Sequence, residues 1–144
     1  TNGSMGYGVP AGVAAALASG RPVFTIAGDG DFLMNGQELA TATAEGVKTV
    51  VLLLNNGMYG TIRMHQEREF PGRVSGSGLR NPDFCLLAQG FGYHAERVTQ
   101  TAAFAGAWER AWKHPGGALI ELMLDPEVIT PKLTLQEIRE AAQR

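Results

Sequence analysis

Short apolar runs alternate with longer segments of mixed polarity along this chain, and glycine, proline or asparagine marks most of the changes. Residues 9–19 are rich in alanine, open with Pro10 and stop at Gly20, a pattern that predicts a tightly packed helix. Residues 23–27 read as a short apolar strand running into Gly28-Asp29-Gly30. Asn35 is placed to cap a helix reaching about Glu45, with Gly46 as its stop. Residues 49–54 are continuously apolar and β-branched at the start, as in a strand buried on both faces. Asn55-Asn56-Gly57 ends that run, and a helix over 58–67 follows. Residues 70–80 carry Gly, Ser and Arg and read as loop. Asn81-Pro82-Asp83 opens a helix to Gly90, and residues 94–98 form a strand. Thr101 is expected to cap a helix through Lys113, which Pro115-Gly116-Gly117 breaks. Residues 118–124 give a further strand, and residues 133–143 an amphipathic terminal helix.

Strands that alternate with helices predict an α/β protein: a three-layer αβα arrangement around a mostly parallel, doubly wound sheet. In such sheets ligands bind beyond the carboxyl ends of the strands. The turns after Ala27 and Leu54 both lie at that edge, so the two most unusual sequences are expected side by side.

The 144 residues fit one domain able to bury its own core, and 44% hydrophobic with 18% charged residues is ordinary for a globular chain. A net charge of −2 offers no general attraction for nucleic acid or an anionic membrane, so neither partner is expected. Any polyanion must be held by a metal, a helix N-terminus or a glycine-rich turn. Cys85 is the only cysteine, which points to a reducing cytoplasm, and no apolar stretch is long enough to span a bilayer. The chain opens with Thr1-Asn2-Gly3-Ser4-Met5-Gly6, which reads as a loop in mid-fold. Residues 1–144 are therefore expected to be one domain of a longer multidomain protein.

The chemistry concentrates at two turns. Asp29 and Asn56 each offer a hard oxygen, the kind of ligand Mg²⁺ prefers. Two side chains are too few for an all-protein cage, and Mg²⁺ commonly completes its shell with carbonyls, water and phosphate oxygens. Gly28, Gly30, Gly57 and Gly60 allow close backbone approach, and helices starting near Asn35 and Met58 would aim N–H groups at an anion. The ligand expected from these residues is a diphosphate carried in with Mg²⁺. Taken singly, each motif is also ordinary turn chemistry.

Gly28-Asp29-Gly30 followed by Asn55-Asn56 resembles the thiamine-diphosphate signature of the acetohydroxyacid synthase, pyruvate decarboxylase and benzoylformate decarboxylase superfamily. Gly3-Ser4-Met5-Gly6-Tyr7-Gly8-Val9-Pro10-Ala11, residues 31–39, Asn81-Pro82-Asp83-Phe84, Phe91-Gly92 and Ala118-Leu119-Ile120-Glu121 are similar to further family segments. The resemblance implies the thiamine-diphosphate-binding fold of the C-terminal, diphosphate-holding domain. It implies that Asp29, the Asn56 side chain and the Met58 carbonyl ligate Mg²⁺. Backbone around Gly28, Gly30, Asp31 and Gly57, Met58, Tyr59 and Gly60 would hold the diphosphate. The Gly3 carbonyl would accept from the aminopyrimidine, and Met5 would prop the bent cofactor; plain core packing is the other reading of Met5. The glutamate that serves the aminopyrimidine comes, in such enzymes, from a pyrimidine-binding domain of the same or a partner subunit. No motif here supplies it, and Glu38 and Glu45 read as ordinary helix glutamates. A homodimer or homotetramer is implied, with little activity from this chain alone.

The implied substrate is a 2-oxo acid. Where the pyruvate decarboxylase branch has a glutamate that handles protons near C2, this chain has Ile62, as acetolactate synthases do. Where that family has a tryptophan, this chain has His65, a candidate proton or hydrogen-bond donor and equally a surface histidine. Arg63, Arg68 and Arg73 are candidates for substrate carboxylates but more commonly are solvated charges. Residues 71–78 have the glycine content of a mobile lid. A decarboxylase of the same superfamily and a non-catalytic cofactor-binding or assembly module are the alternatives. Gly6-x-Gly8-x-x-Ala11 superficially fits a dinucleotide fingerprint, but too few residues precede it to form the required strand.

Overall fold

The computed structural model describes residues 2–143. Helix α1 (Gly8–Ser19) is followed by strand β1 (Val23–Gly28), helices α2 (Asp29–Asn35) and α3 (Glu38–Ala44), and strand β2 (Thr49–Asn55). Next come α4 (Gly60–Glu69), α5 (Phe84–Gly90), β3 (His94–Val98), a 3-10 turn (Thr101–Ala103), α6 (Phe104–Lys113), β4 (Ala118–Met123) and α7 (Leu135–Ala142). The strands stand in the order β1-β2-β4-β3, and every pairing is parallel. The path from β3 back to β4 runs opposite to the path from β1 to β2. Right-handed connections therefore place α6 on the face opposite α1–α3, and the outcome is the expected doubly wound α/β fold.

Burial follows position in the sheet. Strand β2 lies in the interior, and Val50, Val51 and Leu53 are completely buried, which is why its sequence is an unbroken apolar run. Val51, Leu53 and Leu119 pack with α1, α2, α3 and α5 through Val13, Phe32, Leu39 and Phe84. Val50 and Ile120 pack on the other side with Ala107 and Ala111 of α6. The small residues of α1 have a specific use: a Cβ on Gly12 would stand 3.0 Å from Thr25 Cβ, and one on Gly8 would stand 2.6 Å from the Ile26 carbonyl. The helix thus lies almost in contact with β1, and Thr25 Oγ1 donates to the Gly8 carbonyl at 2.6 Å.

Several boundaries differ from the sequence expectation. The helix expected over 35–45 is the shorter α3, and a separate helix that the sequence reading did not foresee, α2, precedes it, running from Asp29, directly off β1, to Asn35. Asn35 is no cap; its Nδ2 donates to the Gly6 carbonyl at 2.8 Å and ties α2 to the N-terminal loop. The break comes at Gly36, where a Cβ would meet the Phe32 ring at 2.5 Å; bending there lets both Phe32 and Leu39 enter the core. Thr101 starts the 3-10 turn instead of capping α6, which begins at Phe104 without a side-chain cap. Helix α7 has a capping box that the sequence reading missed: Thr134 Oγ1 accepts from Glu137 N–H while Glu137 accepts from Thr134 N–H.

Candidate functional site

Register brings the two turns together. Gly28 of β1 pairs with Leu54 of β2, so Asp29 and Asn55-Asn56 leave the sheet at the same level of its carboxyl edge. Asp29 is 2% exposed. Its Oδ2 accepts two hydrogen bonds, from Gly57 N–H at 2.8 Å and Asn81 Nδ2 at 2.7 Å. Its Oδ1 accepts from Gly30 N–H at 3.0 Å. Gly57 makes this possible with φ +71, a conformation that side-chain-bearing residues rarely adopt. Asn56 Oδ1 accepts from Met58 N–H at 3.2 Å.

Beside these turns lies an open cleft of about 360 Å³, within the size range of small-molecule sites. Gly28, Asp29, Gly30 and Asp31 line it from the β1–α2 turn, and Asn56, Met58, Tyr59, Gly60 and Ile62 line it from the β2–α4 connection. Met5 enters from the N-terminal loop, 39% exposed. Leu124, Val128 and Ile129, from the segment after β4, form an apolar wall that the sequence reading did not foresee. Only their apolar character signalled them, and apolar residues abound in the chain.

Three expected residues lie elsewhere. Gly3 is exposed and lines a separate surface depression with Asn2, Ser4 and Tyr7. Gly57 lies behind Asp29 as a hydrogen-bond donor and not on the cleft wall. His65 is exposed on α4 and is not among the residues that line the cleft. Asp31 reaches the cleft, and its Oδ1 also accepts from Gly6 N–H at 2.5 Å, holding the N-terminal loop over α2.

The glycines serve side chains as much as a ligand. A Cβ on Gly30 would stand 2.3 Å from the Tyr59 ring, and one on Gly60 would meet Ile129 Cδ1 at 2.6 Å. Residues 57–59 bridge residues 77–79 in antiparallel fashion, with Tyr59 N–H donating to the Ser77 carbonyl and Leu79 N–H to the Gly57 carbonyl. The Met58 carbonyl stays out of this bridge. The same bridge anchors the loop read as a lid, as do Gln66 Nε2 donating to the Ser75 carbonyl and Gly72 N–H donating to Glu67.

Arg63 and Arg73, of the three arginines named as carboxylate candidates, have structural partners, and Arg68 is exposed. Arg63 and Arg139 both pair with Glu67, whose side chain is fully buried. Arg139 above all holds the Glu67 carboxyl down at about 2, against the cost of burial. Arg73 lies over the Phe70 ring at 5.6 Å. Cys85 is an inert thiol, pushed up to about 11 by burial and by Glu121.

Among the described residues no group of three or more His, Cys, Asp or Glu converges as a metal site. The hard oxygens at the cleft are those of the Asp29 and Asp31 carboxylates and the Asn56 amide, with the Met58 backbone beside them. A carboxylate offers about four lone-pair positions, and the contacts above occupy both on Asp29 Oδ2 but one on Oδ1. This donor set fits a cation that brings further oxygen ligands with it. No lysine or arginine lines the cleft, while Asp29 and Asp31 do.

Comparison with known proteins gives the family. A family model described as the thiamine pyrophosphate enzyme C-terminal TPP-binding domain matches residues 1–122. The chain is 43% identical over 115 residues to the acetolactate synthase large subunit of Corynebacterium glutamicum, covering 76% of this chain and 18% of that protein. It is 37% identical over 127 residues to the acetolactate synthase isozyme 2 large subunit of Escherichia coli K12, covering 85% and 23%. Among solved structures, the thiamine diphosphate-dependent 4-hydroxybenzoylformate decarboxylase of Rhodococcus jostii RHA1 superimposes with a TM-score of 0.78 at 32% identity, covering 84% of this chain and 23% of that one. The chain thus spans about a fifth of the length of the curated relatives it matches.

Proposed function

The chain belongs to the family of C-terminal TPP-binding domains of thiamine pyrophosphate enzymes, and from that membership we propose that its cleft holds thiamine diphosphate through Mg²⁺. The observation that carries this reading is the meeting of Asp29 and Asn56 in one cleft that offers hard oxygens and no cationic side chain. A diphosphate beside Asp29 and Asp31 is repelled unless a divalent cation stands between them. Asp29, the Asn56 side chain and the Met58 carbonyl are the protein ligands of that cation. The start of α2, at Gly30 and Asp31, offers the positive end of the helix to the anion. Backbone at Gly28 and from Tyr59 to Gly60 completes the cradle, and Met5 is the apolar prop at its mouth.

Bound thiamine diphosphate supplies the nucleophilic carbon and electron sink for 2-oxo acid chemistry. The chain's own residues position the cofactor and shape the space beside it. Ile62, Leu124, Val128 and Ile129 make one wall of that space apolar and themselves carry no titratable group, which suits a carboligation of the acetolactate synthase kind. A decarboxylase is the second reading, favoured by the likeness to the 4-hydroxybenzoylformate decarboxylase. The remaining pocket wall, with the glutamate for the aminopyrimidine, belongs in this reading to a pyrimidine-binding domain of the same or a partner subunit. Residues 1–144 are accordingly one domain of a longer, oligomeric enzyme and have little activity alone.

Calorimetric titration of thiamine diphosphate into the chain, with and without Mg²⁺, tests the reading. Binding is expected to require the metal. Asp29→Ala and Asn56→Ala should each weaken it by more than the roughly 10- to 100-fold typical of outer-shell changes. Binding that ignores both Mg²⁺ and the two substitutions rejects the site.

A further inference from the structure

Behind Asp29 runs a buried polar chain that begins on the far side of β2. Glu121 of β4 is 1% exposed and stands in register with Leu53 and Arg97. Its Oε2 accepts from Arg97 Nε at 2.6 Å, and its Oε1 accepts from Asn55 Nδ2 at 2.7 Å. The second contact orients the Asn55 amide, because the nitrogen faces the carboxylate and Oδ1 must face the other way. There Oδ1 accepts from Gly57 N–H at 3.1 Å and from Asn81 Nδ2 at 3.0 Å. Those same two donors also reach Asp29 Oδ2. Asn81 is held by its two acceptors in an orientation that leaves its Oδ1 buried with no partner among the described residues. An unmet buried acceptor costs stability, so local packing alone gives no reason for this arrangement.

Resting on the cofactor reading above, we infer that Asn81, backed by Asn55 and Glu121, is a positioning residue that sets cation selectivity by closing Asp29 Oδ2 and leaving Oδ1 as the only ligand oxygen. A carboxylate confined to one oxygen suits the strict octahedron of Mg²⁺. Ca²⁺ accepts bidentate carboxylates and larger, irregular shells. With Asn81 gone, Oδ2 is partly released, the carboxylate can turn and bind through both oxygens, and the preference for Mg²⁺ falls. Asn81 touches neither substrate nor cofactor in this role; it acts through Asp29.

The test titrates Mg²⁺ and Ca²⁺ separately into the chain with thiamine diphosphate, comparing wild type with Asn81→Ala and with the milder Asn81→Ser. Thermal melts confirm folding, and metal-induced shifts in melting temperature give a second readout independent of turnover. Mg²⁺ affinity is expected to fall about 10- to 100-fold and Ca²⁺ affinity by clearly less, so that the Mg²⁺/Ca²⁺ ratio drops. A folded variant with unchanged Mg²⁺ affinity overturns the inference. Equal losses for the two cations also overturn it, since a merely structural asparagine weakens both alike. Wild-type protein that binds the cofactor with neither cation rejects the underlying site, and the assignment of Asn81 with it; that outcome is read before any variant is made.

Discussion

Gly30 illustrates how one residue serves the turn, the cleft and the core together. It is buried at the second position of α2, its N–H donates to Asp29 Oδ1, and the Tyr59 ring occupies the space a side chain would need. The sequence reading assigned this glycine to close phosphate approach; the nearer neighbour is an aromatic ring. Gly30→Ala is therefore expected to displace Tyr59 and cost about 1–3 kcal/mol, the usual range for overpacking, with a matching drop in the midpoint of urea unfolding. Gly28 makes an instructive control, since a Cβ there meets only Asp31 Cβ at 3.9 Å, and Gly28→Ala is tolerated better in the same assay. His65 shows the converse. Its position relative to Asn56 drew attention to it, and α4 simply turns it to solvent.

At the scale of elements, Glu67 joins parts that are distant in sequence. It receives Arg63 within α4, Arg139 from α7 and the N–H of Gly72 from the following loop. These contacts depress its carboxyl from 4.5 to about 2, the Arg139 hydrogen bond contributing most. The folded state thus releases this proton more readily than the unfolded state. The resulting stabilisation is complete above about pH 4.5 and is lost as pH falls toward about 2. Urea midpoints measured down that range should decline, and Glu67→Gln should flatten part of the decline. Glu96, lowered to about 2 chiefly by Arg110, accounts for a share that the Glu67 variant leaves intact. At neutral pH, Glu67→Gln is expected to cost about 3 kcal/mol, because it leaves two arginines around a buried neutral group. A pH profile identical to wild type would remove Glu67 from this role.

Considered whole, the molecule has one incompletely covered layer. Strand β1 pairs with β2 alone among the described residues, and its Phe24 and Ile26 are each 54% exposed on the face that α6 covers farther along the sheet. Trp108 reaches Phe24 edge-on at 5.8 Å without covering it. Exposed apolar side chains on a free edge strand promote association, so Phe24→Thr with Ile26→Thr should reduce self-association in light scattering while leaving the melting temperature nearly unchanged. The sequence alone determined the layer architecture, because strand and helix periods are local properties of consecutive residues. It also determined that Asp29 and Asn56 meet, because neighbouring parallel strands end at the same edge. Only the tertiary structure decided that Asn81, Glu121 and Arg97 converge behind Asp29, that Glu67 is a buried hub, and that Leu124, Val128 and Ile129 form one wall of the cleft. Those residues come together across chain separations at which no periodicity survives. Their partners are selected by packing and by the need of buried polar groups for hydrogen bonds, which is settled only when distant elements meet.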